Sequence, residues 1–330
     1  MLSSIHIKNF RAFREIEIGP FNRVNLIAGL NNTGKTGLLE AIYLGLGLSD
    51  PTLFSAKDGP QNLPNMFRIF SQGADSNRDF WFWLLRDKQN REDIIIDLSD
   101  QGSNKSHVLM SARGTNPVGR DTWEYRGSYS LGPFQCYWDP GKIVPQKPTV
   151  FSSHPSDPVQ DAIDYNRVVL KRAKKKVEKL LKNVDPRLES IESLQTGNGA
   201  PLIYADVGLP EMIPVSHLGE GFCRLLDIYS ELLAGDAKVL LIDEIENGLH
   251  HSVLPIVWKG LIAAANELDV QIFATTHSAE CIFAADQAAR ESPPHELNLI
   301  RLDRVNGDIK ATVMDDKTLA TAKEFNWELR

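Results

Sequence analysis

Cysteine is scarce in this sequence of 330 residues, which contains three cysteines: Cys136, Cys223 and Cys281. They are widely separated and none belongs to a C-x-x-C pair, so neither a disulfide framework nor a zinc site is expected. A few widely separated cysteines without paired spacing are typical of proteins in a reducing cytosol.

Long apolar segments are also lacking. No run approaches the roughly 18 residues that a membrane-spanning helix requires. The first residues do not combine a basic stretch with an apolar one, as a signal peptide would. We therefore expect a cytoplasmic protein that has no membrane partner.

Positive charge is not in excess, because the formal net charge is -7. This balance argues against a protein that coats nucleic acid with its whole surface, although a local basic strip can still bind phosphates. Hydrophobic residues make up 42% of the chain and charged residues 24%. These proportions are those of a globular protein that can bury a core without disulfides.

Hydrophobic patterning predicts α/β structure near both ends of the chain. Alternating residues predict an N-terminal β-hairpin, and short apolar runs predict buried strands between amphipathic helices. In chain order the predicted elements are strands at Ser4–Lys8, Arg14–Ile18 and Arg23–Ala28, a helix at Lys35–Leu46, a strand at Val239–Ile242, a helix at His250–Leu268, a strand at Gln271–Thr276, a helix at Ser278–Ala289, and strands at Leu297–Leu302 and Ile309–Val313.

The middle of the sequence begins with strand patterns. They lie between Asp79 and Trp138 and are clearest at Phe80–Leu85 and Ile94–Ile96, where aromatic and β-branched residues are concentrated. Four tryptophans in this region are expected to pack in a core rather than to stack on nucleic-acid bases: Trp81, Trp83, Trp123 and Trp138.

A single helix of about 24 residues is predicted from Asp161 to Val184 by its apolar spacing. The apolar positions are Val169, Ala173, Val177, Leu180 and Val184, and the opposite face carries Lys171, Arg172, Lys174, Lys175, Lys176, Lys179 and Lys182. A solvated helix face is the commoner reason for such a pattern. The alternative is that the Lys171–Lys182 face contacts the phosphates of DNA, in which case binding depends strongly on salt.

A glycine-rich segment, Gly29-Leu-Asn-Asn-Thr-Gly-Lys-Thr36, fits the pattern G-x-x-x-x-G-K-[ST] between a predicted strand and a predicted helix. In this context backbone N–H groups surround phosphate oxygens. The lysine contacts the β- and γ-phosphates, and the threonine hydroxyl ligates Mg²⁺. The predicted cofactors are therefore ATP and Mg²⁺. The predicted nucleotide-binding residues of this segment are Gly29, Asn31, Asn32, Thr33, Gly34, Lys35, Thr36 and Gly37, of which Lys35 is also predicted to be catalytic.

Two carboxylates, Asp243 and Glu244, follow the predicted strand Val239–Ile242. Ligands of open α/β sheets lie at the carboxyl ends of the strands, so we expect Asp243 to hold Mg²⁺ together with Thr36, mostly through water. Glu244 is expected to orient or deprotonate the attacking water. The alternative is a strand that merely ends in an acidic turn.

Several further segments carry a resemblance to a known family. They are Ile5-His-Ile-Lys-Asn-Phe-Arg11, Leu218-Gly-Glu-Gly-Phe-Cys-Arg-Leu-Leu226, Asp243-Glu-Ile-Glu-Asn-Gly-Leu-His250, Thr275-Thr-His-Ser278 and the C-terminal Trp327-Glu-Leu-Arg330. Over residues 1–48 and 214–330 the sequence resembles the OLD, RecF and SMC ATPases, which have ABC-type heads. The resemblance is poor in the middle of the chain.

The resemblance implies one ABC-type P-loop head over residues 1–330, with an α/β fold that has a mixed central sheet, an antiparallel β lobe and a short helical insertion. Its parts would be an N-terminal lobe at 1–48, a β-rich lobe at 49–158, the helical insertion at 159–213 and a C-terminal lobe at 214–330. The insertion is too short for the long coiled-coil arm of SMC proteins.

The resemblance also implies a homodimer, or a higher oligomer, in which two heads enclose two ATP molecules. Arg11 would contact the nucleotide, and His277 would act catalytically at the γ-phosphate. The alternative is that His277 caps a helix or is merely buried at a strand end. The signature-loop residues Gly219, Glu220 and Gly221 would receive the nucleotide bound by the partner. The serine that usually occupies the position of Gly219 is absent, which removes a hydroxyl contact.

Two other positions follow from the same resemblance. Asn247–His250 would lie near the dimer seam, and either Gln61 or Gln72 would link Mg²⁺ to the arm region. His250 and His251 would point about 100° apart at a helix start, so they do not predict a metal site.

Three functions are compatible with these motifs. The first is a Mg-dependent ATP hydrolase that acts in DNA repair or processing, or in phage defence. The second is an ATP-gated scaffold that binds or restrains a separate nuclease or toxin, since too few residues follow His277 for the nuclease domain that OLD proteins often carry. The third, the nucleotide-binding subunit of a transporter, is disfavoured by the unusual signature loop and the long β insertion.

Overall fold

The structure is a computed structural model of the chain, and it describes residues 1–47, 93–112, 127–131, 134–139, 149–151, 158–195, 199–235, 238–315, 317–319 and 321. Several sequence predictions lie outside these residues: Gln61, Gln72, the strand at Phe80–Leu85, Trp81, Trp83, Trp123, the side chain of Trp138, and Trp327–Arg330.

Consecutive strands dominate the first half of the described chain, whereas strands and helices alternate between Ile213 and Val305. The strands are β1 (Leu2–Phe10), β2 (Phe13–Ile18), β3 (Val24–Ala28), β4 (Ile94–Asp100), β5 (Lys105–Ala112), β6 (Gly127–Leu131), β7 (Phe134–Asp139), β8 (Thr149–Phe151), β9 (Ser190–Leu194), β10 (Leu202–Asp206), β11 (Ile213–Pro214), β12 (Val239–Ile242), β13 (Gln271–Thr276), β14 (Leu297–Val305) and β15 (Asp308–Met314). The helices are α1 (Lys35–Gly47), α2 (Pro158–Leu170), α3 (Lys174–Lys182), α4 (Glu220–Ala234), α5 (Leu254–Leu268) and α6 (Ala279–Arg290).

The N-terminal sheet is antiparallel throughout, with the strand order β2-β1-β4-β5-β7-β6. The predicted N-terminal hairpin is confirmed, and its register pairs Ile5 with Ile18 and Ile7 with Ile16. These isoleucines are buried and alternate with polar residues, so one face of the hairpin lies in the core. Helix α1 packs against β1 and β4.

The second sheet is mixed, with the strand order β15-β14-β3-β13-β12-β8. Strands β14, β3, β13, β12 and β8 are parallel neighbours, and β15 pairs antiparallel with β14. Every residue of β3, β12 and β13 is buried, as expected for parallel strands that are covered on both faces. The carboxyl ends of these three strands meet at one edge of the sheet.

Hydrophobic cores lie on both faces of the mixed sheet. One core joins this sheet to α1 and the N-terminal sheet, and the other contains α4, α5 and α6. Trp258 of α5 is fully buried, and its indole N–H donates to the Sγ atom of Cys281 in α6 at 3.4 Å. The packing on both faces fixes the positions of the strand ends.

The prediction of one helix at Asp161–Val184 is wrong. The structure has two helices, α2 and α3, separated by a turn in which Arg172 has a left-handed φ of 58°. Because the chain changes direction there, Ala173 and Val177 are buried whereas Val169 is 44% exposed. The short sheet with the order β11-β10-β9 packs beside α2.

The helices of the C-terminal half begin later than predicted. A 3₁₀ turn at His251–Val253 precedes α5, which starts at Leu254 with a proline in its first turn, a position that proline favours. Helix α6 starts after Ser278, whose hydroxyl accepts a hydrogen bond from the N–H of Cys281 at 3.1 Å. No helix within the described residues is long and apolar enough to span a membrane.

Candidate nucleotide-binding site

The glycine-rich segment forms a tight loop between β3 and α1. Gly29, Asn32 and Gly34 have φ values of 148°, 62° and 90°. A Cβ atom at Gly29 would lie 2.4 Å from the carbonyl oxygen of Leu302, and one at Gly34 would lie 2.9 Å from the ring of Phe13. Positions 29 and 34 therefore both require glycine.

Lys35 is the first residue of α1, and its side chain reaches back to this loop. Its Nζ atom donates hydrogen bonds to the carbonyl oxygens of Gly29 and Leu30, at 2.7 and 2.8 Å. Burial lowers the pKa of Lys35, and the neighbouring carboxylates, Asp243 and Glu244 among them, partly offset this effect. The ammonium group is thus held between the loop and the acidic strand end.

Three oxygen-bearing side chains converge at the carboxyl ends of β12 and β13. The Thr36 hydroxyl donates to the two carboxylate oxygens of Asp243, at 3.1 and 3.2 Å. The Thr275 hydroxyl donates to Asp243 Oδ1 at 2.7 Å. Adjacent ligands of an octahedral Mg²⁺ ion with bonds of about 2.1 Å are roughly 3 Å apart, so Thr36 and Asp243 fit this ion.

Glu244 leaves β12 in the left-handed conformation, with φ of 50°. Its backbone N–H donates to the hydroxyl of Thr275 at 2.8 Å, and its Oε1 atom lies 3.5 Å from Nε2 of His277. Both side chains are partly exposed, at 40% for Glu244 and 35% for His277. Two of the three predicted catalytic side chains thus lie together, beside the loop and accessible to water.

Glu246 is a neighbour of this site that sequence reasoning missed. Its Oε1 atom accepts a hydrogen bond from the backbone N–H of His277 at 2.7 Å. Since Ser278 caps α6, helix capping is not the role of the His277 side chain. The spacing of the motif Asp243-Glu-Ile-Glu246 does not indicate this contact, because the strand ends before it and Glu244 has a left-handed φ.

The His250 and His251 rings are in contact, with centroids 4.1 Å apart. The predicted divergence of about 100° is wrong, because His250 lies before the 3₁₀ turn rather than within a helix. Among the residues that the structure describes, no cluster of three His, Cys, Asp or Glu side chains is arranged to hold a metal ion.

Arg11 pairs with Glu40, a residue that the sequence did not single out. Arg11 Nε and Nη2 donate to the two carboxylate oxygens of Glu40 at 2.7 and 2.8 Å. Burial raises the pKa of Glu40 to about 7, although the guanidinium opposes this rise. The pair links the β1–β2 turn to α1, and contact of Arg11 with a nucleotide stays a prediction.

The signature loop leads directly into α4. Gly219 is exposed, has φ of 99°, and has no heavy atom within 4 Å of the position that a Cβ would take. A Cβ at Gly221 would lie 2.1 Å from the carbonyl oxygen of Gly248. Glu220 is exposed in the first turn of α4. The backbone at the start of this helix is therefore accessible on one side and touches the segment after Glu244 on the other.

Many of the basic residues in the insertion are engaged in ion pairs. Three lysines pair with glutamates of neighbouring elements: Lys174 with Glu192, Lys176 with Glu267, and Lys182 with Glu189. Lys175 and Lys179 are exposed on α3. The basic face is therefore narrower than the pattern of charges in the sequence indicated.

Two family models match the chain. One, described as "AAA ATPase domain", matches residues 1–106, and the other, described as "AAA domain, putative AbiEii toxin, Type IV TA system", matches residues 145–282. An ATP/GTP phosphatase of Helicobacter pylori is 26% identical over 336 residues, which cover 88% of this chain and 89% of the relative. The DNA replication and repair protein RecF of Shewanella frigidimarina is 35% identical over 97 residues, or 29% of this chain and 27% of RecF.

The solved structures that resemble the chain include SMC heads. The head bound to the C-winged helix domain of ScpA has a TM-score of 0.61 and 14% identity, and covers 97% of this chain and 99% of that one. The head with an extended coiled coil bound to the C-terminal domain of ScpA, derived from Pyrococcus furiosus, has a TM-score of 0.59 and 11% identity, over 98% and 99% of the two chains.

The chain is an ATPase of the ABC/AAA type that is similar to RecF in sequence and to SMC heads in fold. The resemblance that the motifs indicated is confirmed at this level, as is the α/β fold of an ABC-type P-loop head. The roles of individual residues in this ATPase, its division into lobes and its membership of the OLD branch stay predictions.

Proposed function

We propose that this ATPase hydrolyses ATP with Mg²⁺ at a site completed by a second copy of the chain. One observation carries the proposal: Lys35, Thr36, Asp243 and Glu244 converge at one edge of the mixed sheet, with Thr36 and Asp243 at 3.1 Å. This edge is where open α/β sheets bind their ligands. The name of the Helicobacter pylori relative, an ATP/GTP phosphatase, supports the same reaction.

Each side chain has a distinct role in the proposed reaction. The N–H groups of the loop and the Lys35 ammonium bind the phosphates and offset the charge that develops there. Thr36 and Asp243 hold Mg²⁺, which when bound neutralises phosphate charge. Glu244 accepts a proton from the attacking water, and His277 donates a hydrogen bond to the γ-phosphate. The water oxygen forms a bond to the γ-phosphorus while the bond from that phosphorus to the β,γ-bridging oxygen breaks, and ADP and phosphate leave.

The exposed start of α4 supports the proposed self-association. Backbone N–H groups at a helix N-terminus bind anions, and the α4 terminus at Gly219 is open, with no heavy atom within 4 Å of the Cβ position. We infer that Gly219, Glu220 and Gly221 contact the nucleotide of a partner copy. A homodimer in which each copy completes the other's site is the assembly that this arrangement favours.

DNA repair or phage defence is the proposed context. The similarity to RecF supports a DNA-associated role, and Lys175 and Lys179 are the basic residues of α3 that can meet phosphates. Binding through two lysines is weak and strongly dependent on salt.

The test is steady-state ATP turnover of the purified chain, with and without double-stranded DNA. Lys35→Ala and Glu244→Gln are each expected to lower turnover by about 10²-fold or more, whereas Lys310→Ala, which removes a positive charge from an exposed position of β15, leaves it unchanged. Stimulation by DNA that Lys175→Glu abolishes would support the DNA contact. Full turnover by Glu244→Gln would rule out the proposed base.

An ATP-gated scaffold is the second candidate. It is favoured by Gly219, which lacks the hydroxyl expected at the signature loop, and by the toxin–antitoxin system named in the description of the second family model. In this case the wild-type chain binds ATP and assembles without measurable turnover, and an effector such as a nuclease or a toxin co-purifies with it.

A further inference from the structure

The peptide group between Asp243 and Glu244 is hydrogen-bonded on both of its sides. On one side the carbonyl oxygen of Asp243 accepts a hydrogen bond from Nη2 of Arg224, which extends from α4. On the other side the N–H of Glu244 donates to the Thr275 hydroxyl in β13 at 2.8 Å. The same hydroxyl donates its own proton to Asp243 Oδ1 at 2.7 Å.

This peptide sets the direction of the Glu244 side chain. Glu244 has a φ of 50°. This left-handed conformation is unfavourable for residues other than glycine and costs on the order of 1 kcal/mol. Rotation of the peptide toward an ordinary conformation would move the Glu244 carboxylate away from His277, from which it is now 3.5 Å distant. Bonds to both the C=O and the N–H oppose that rotation.

Both partners are well placed to hold the peptide. Thr275 is fully buried, so its hydroxyl has no water with which to exchange the two bonds, and breaking either one is costly. Arg224 is partly buried and lies near the carboxylates of Asp243, Glu244 and Glu246. Burial lowers the pKa of its guanidinium, and these carboxylates oppose the change. A guanidinium stays charged under all ordinary conditions, so its bond to the Asp243 carbonyl is charge-assisted and strong.

We propose that Arg224 and Thr275 are positioning residues that hold the catalytic carboxylate of Glu244 in place. Both residues act through the Asp243–Glu244 peptide: Arg224 bonds to its C=O group and Thr275 bonds to its N–H group. The proposal rests on the proposed hydrolytic role of Glu244. Neither residue belongs to the phosphate loop, so their loss affects turnover far more than the affinity for ATP.

The principal test compares Thr275→Val with Thr275→Ser. Valine matches threonine in shape and removes the hydroxyl, whereas serine keeps it. At saturating Mg²⁺ we expect Thr275→Val to lower kcat about 10- to 100-fold. A loss of rate of this size is typical when a catalytic group is slightly misplaced. The Kd for ATP changes little, and Thr275→Ser retains most of the turnover. Thr312→Val is the matched control, because Thr312 is an exposed threonine in β15.

Arg224→Gln tests the other side of the peptide. It removes the bond to the Asp243 carbonyl without touching Thr275 or the loop, and kcat is again expected to fall while ATP binding persists. The thermal midpoint of each variant shows whether the protein has folded. A folded Thr275→Val protein with wild-type kcat, or one that loses ATP affinity as strongly as kcat, would overturn the proposal.

Amide hydrogen exchange separates this proposal from the proposed function. If the wild-type chain does not hydrolyse ATP, the proposed function fails, and exchange at the Glu244 N–H then decides whether the peptide is held. Thr275→Val should accelerate that exchange relative to wild type, and Thr312→Val should not. Unchanged exchange in Thr275→Val would show that the hydroxyl does not hold the peptide.

Discussion

Glu40 carries a carboxyl group in the buried contact between α1 and the β1–β2 turn. Burial raises the pKa of Glu40 from 4.5 to about 7 despite the bonds from Arg11. Between these values the folded protein binds a proton that the unfolded chain does not. The stabilising contribution of this group is therefore complete below about pH 4.5 and is lost as the pH rises through about 7.

Replacement of Glu40 by glutamine removes this titration. Between pH 4.5 and 8, we expect the wild type to lose up to about 3 kcal/mol of unfolding free energy relative to Glu40→Gln. The figure follows from the rise in the pKa of Glu40, at about 1.36 kcal/mol per pKa unit. Urea denaturation of both proteins at pH 5, 6, 7 and 8 measures it. A difference that is constant with pH would contradict the assignment to Glu40.

The role of a residue was predictable from the sequence where that role depends on its neighbours along the chain. The loop residues Gly29–Thr36 form one turn, so their spacing alone indicates a phosphate site. Arg224, Glu246 and Thr275 were not predicted as partners of the catalytic region, because their contacts join residues 19 to 32 positions apart. The contacts of Glu246 and Thr275 depend on β13 lying next to β12, and the contact of Arg224 depends on α4 lying within reach of the end of β12. Periodicity reveals neither arrangement.

The helical insertion shows the corresponding limit for whole elements. Apolar spacing predicted one helix because Ala173 and Val177 continue the pattern of α2, and no glycine or proline interrupts it. The chain nevertheless turns at Arg172, a non-glycine residue in a left-handed conformation. The buried strands β3, β12 and β13 were predictable, since short continuous apolar runs are typical of parallel strands that are covered on both faces.

Glycine is expected to suit the turn between α2 and α3. Arg172→Gly relieves the left-handed strain, so its stability should equal or exceed that of the wild type. Lys175→Gly, placed in the first turns of α3, should instead lose about 1 kcal/mol of helix propensity. Urea denaturation of the two variants distinguishes the outcomes, and equal losses would mean that the turn does not strain Arg172.

At the scale of the molecule, the open start of α4 predicts how two copies meet. The Glu244→Gln form should bind ATP without hydrolysing it and elute from gel filtration as a dimer with Mg-ATP, but as a monomer without nucleotide. Adding Gly219→Asp should abolish this dimer, because like charges brought together cost several kcal/mol.

Gly208→Asp is the control for that experiment. Gly208 also has a positive φ, of 78°, and no heavy atom within 4 Å of a Cβ position, so aspartate causes similar backbone strain there. It should leave the dimer intact. Loss of the dimer in both variants would point to strain rather than to the signature loop, and an intact dimer in both would move the interface away from Gly219.

The position of β3 in the centre of the mixed sheet has a consequence for how the chain is made. Val24 pairs with Ile272 on one side and with Leu297 on the other. A ribosome that adds about 5–20 residues per second therefore delivers these partners roughly 10–50 s after β3. During that interval both edges of an apolar strand lack their partners and are open to association with other chains. The phosphate loop can reach its final form only after β13 and β14 have been made, so the ability to bind ATP marks a chain in which these distant strands have come together.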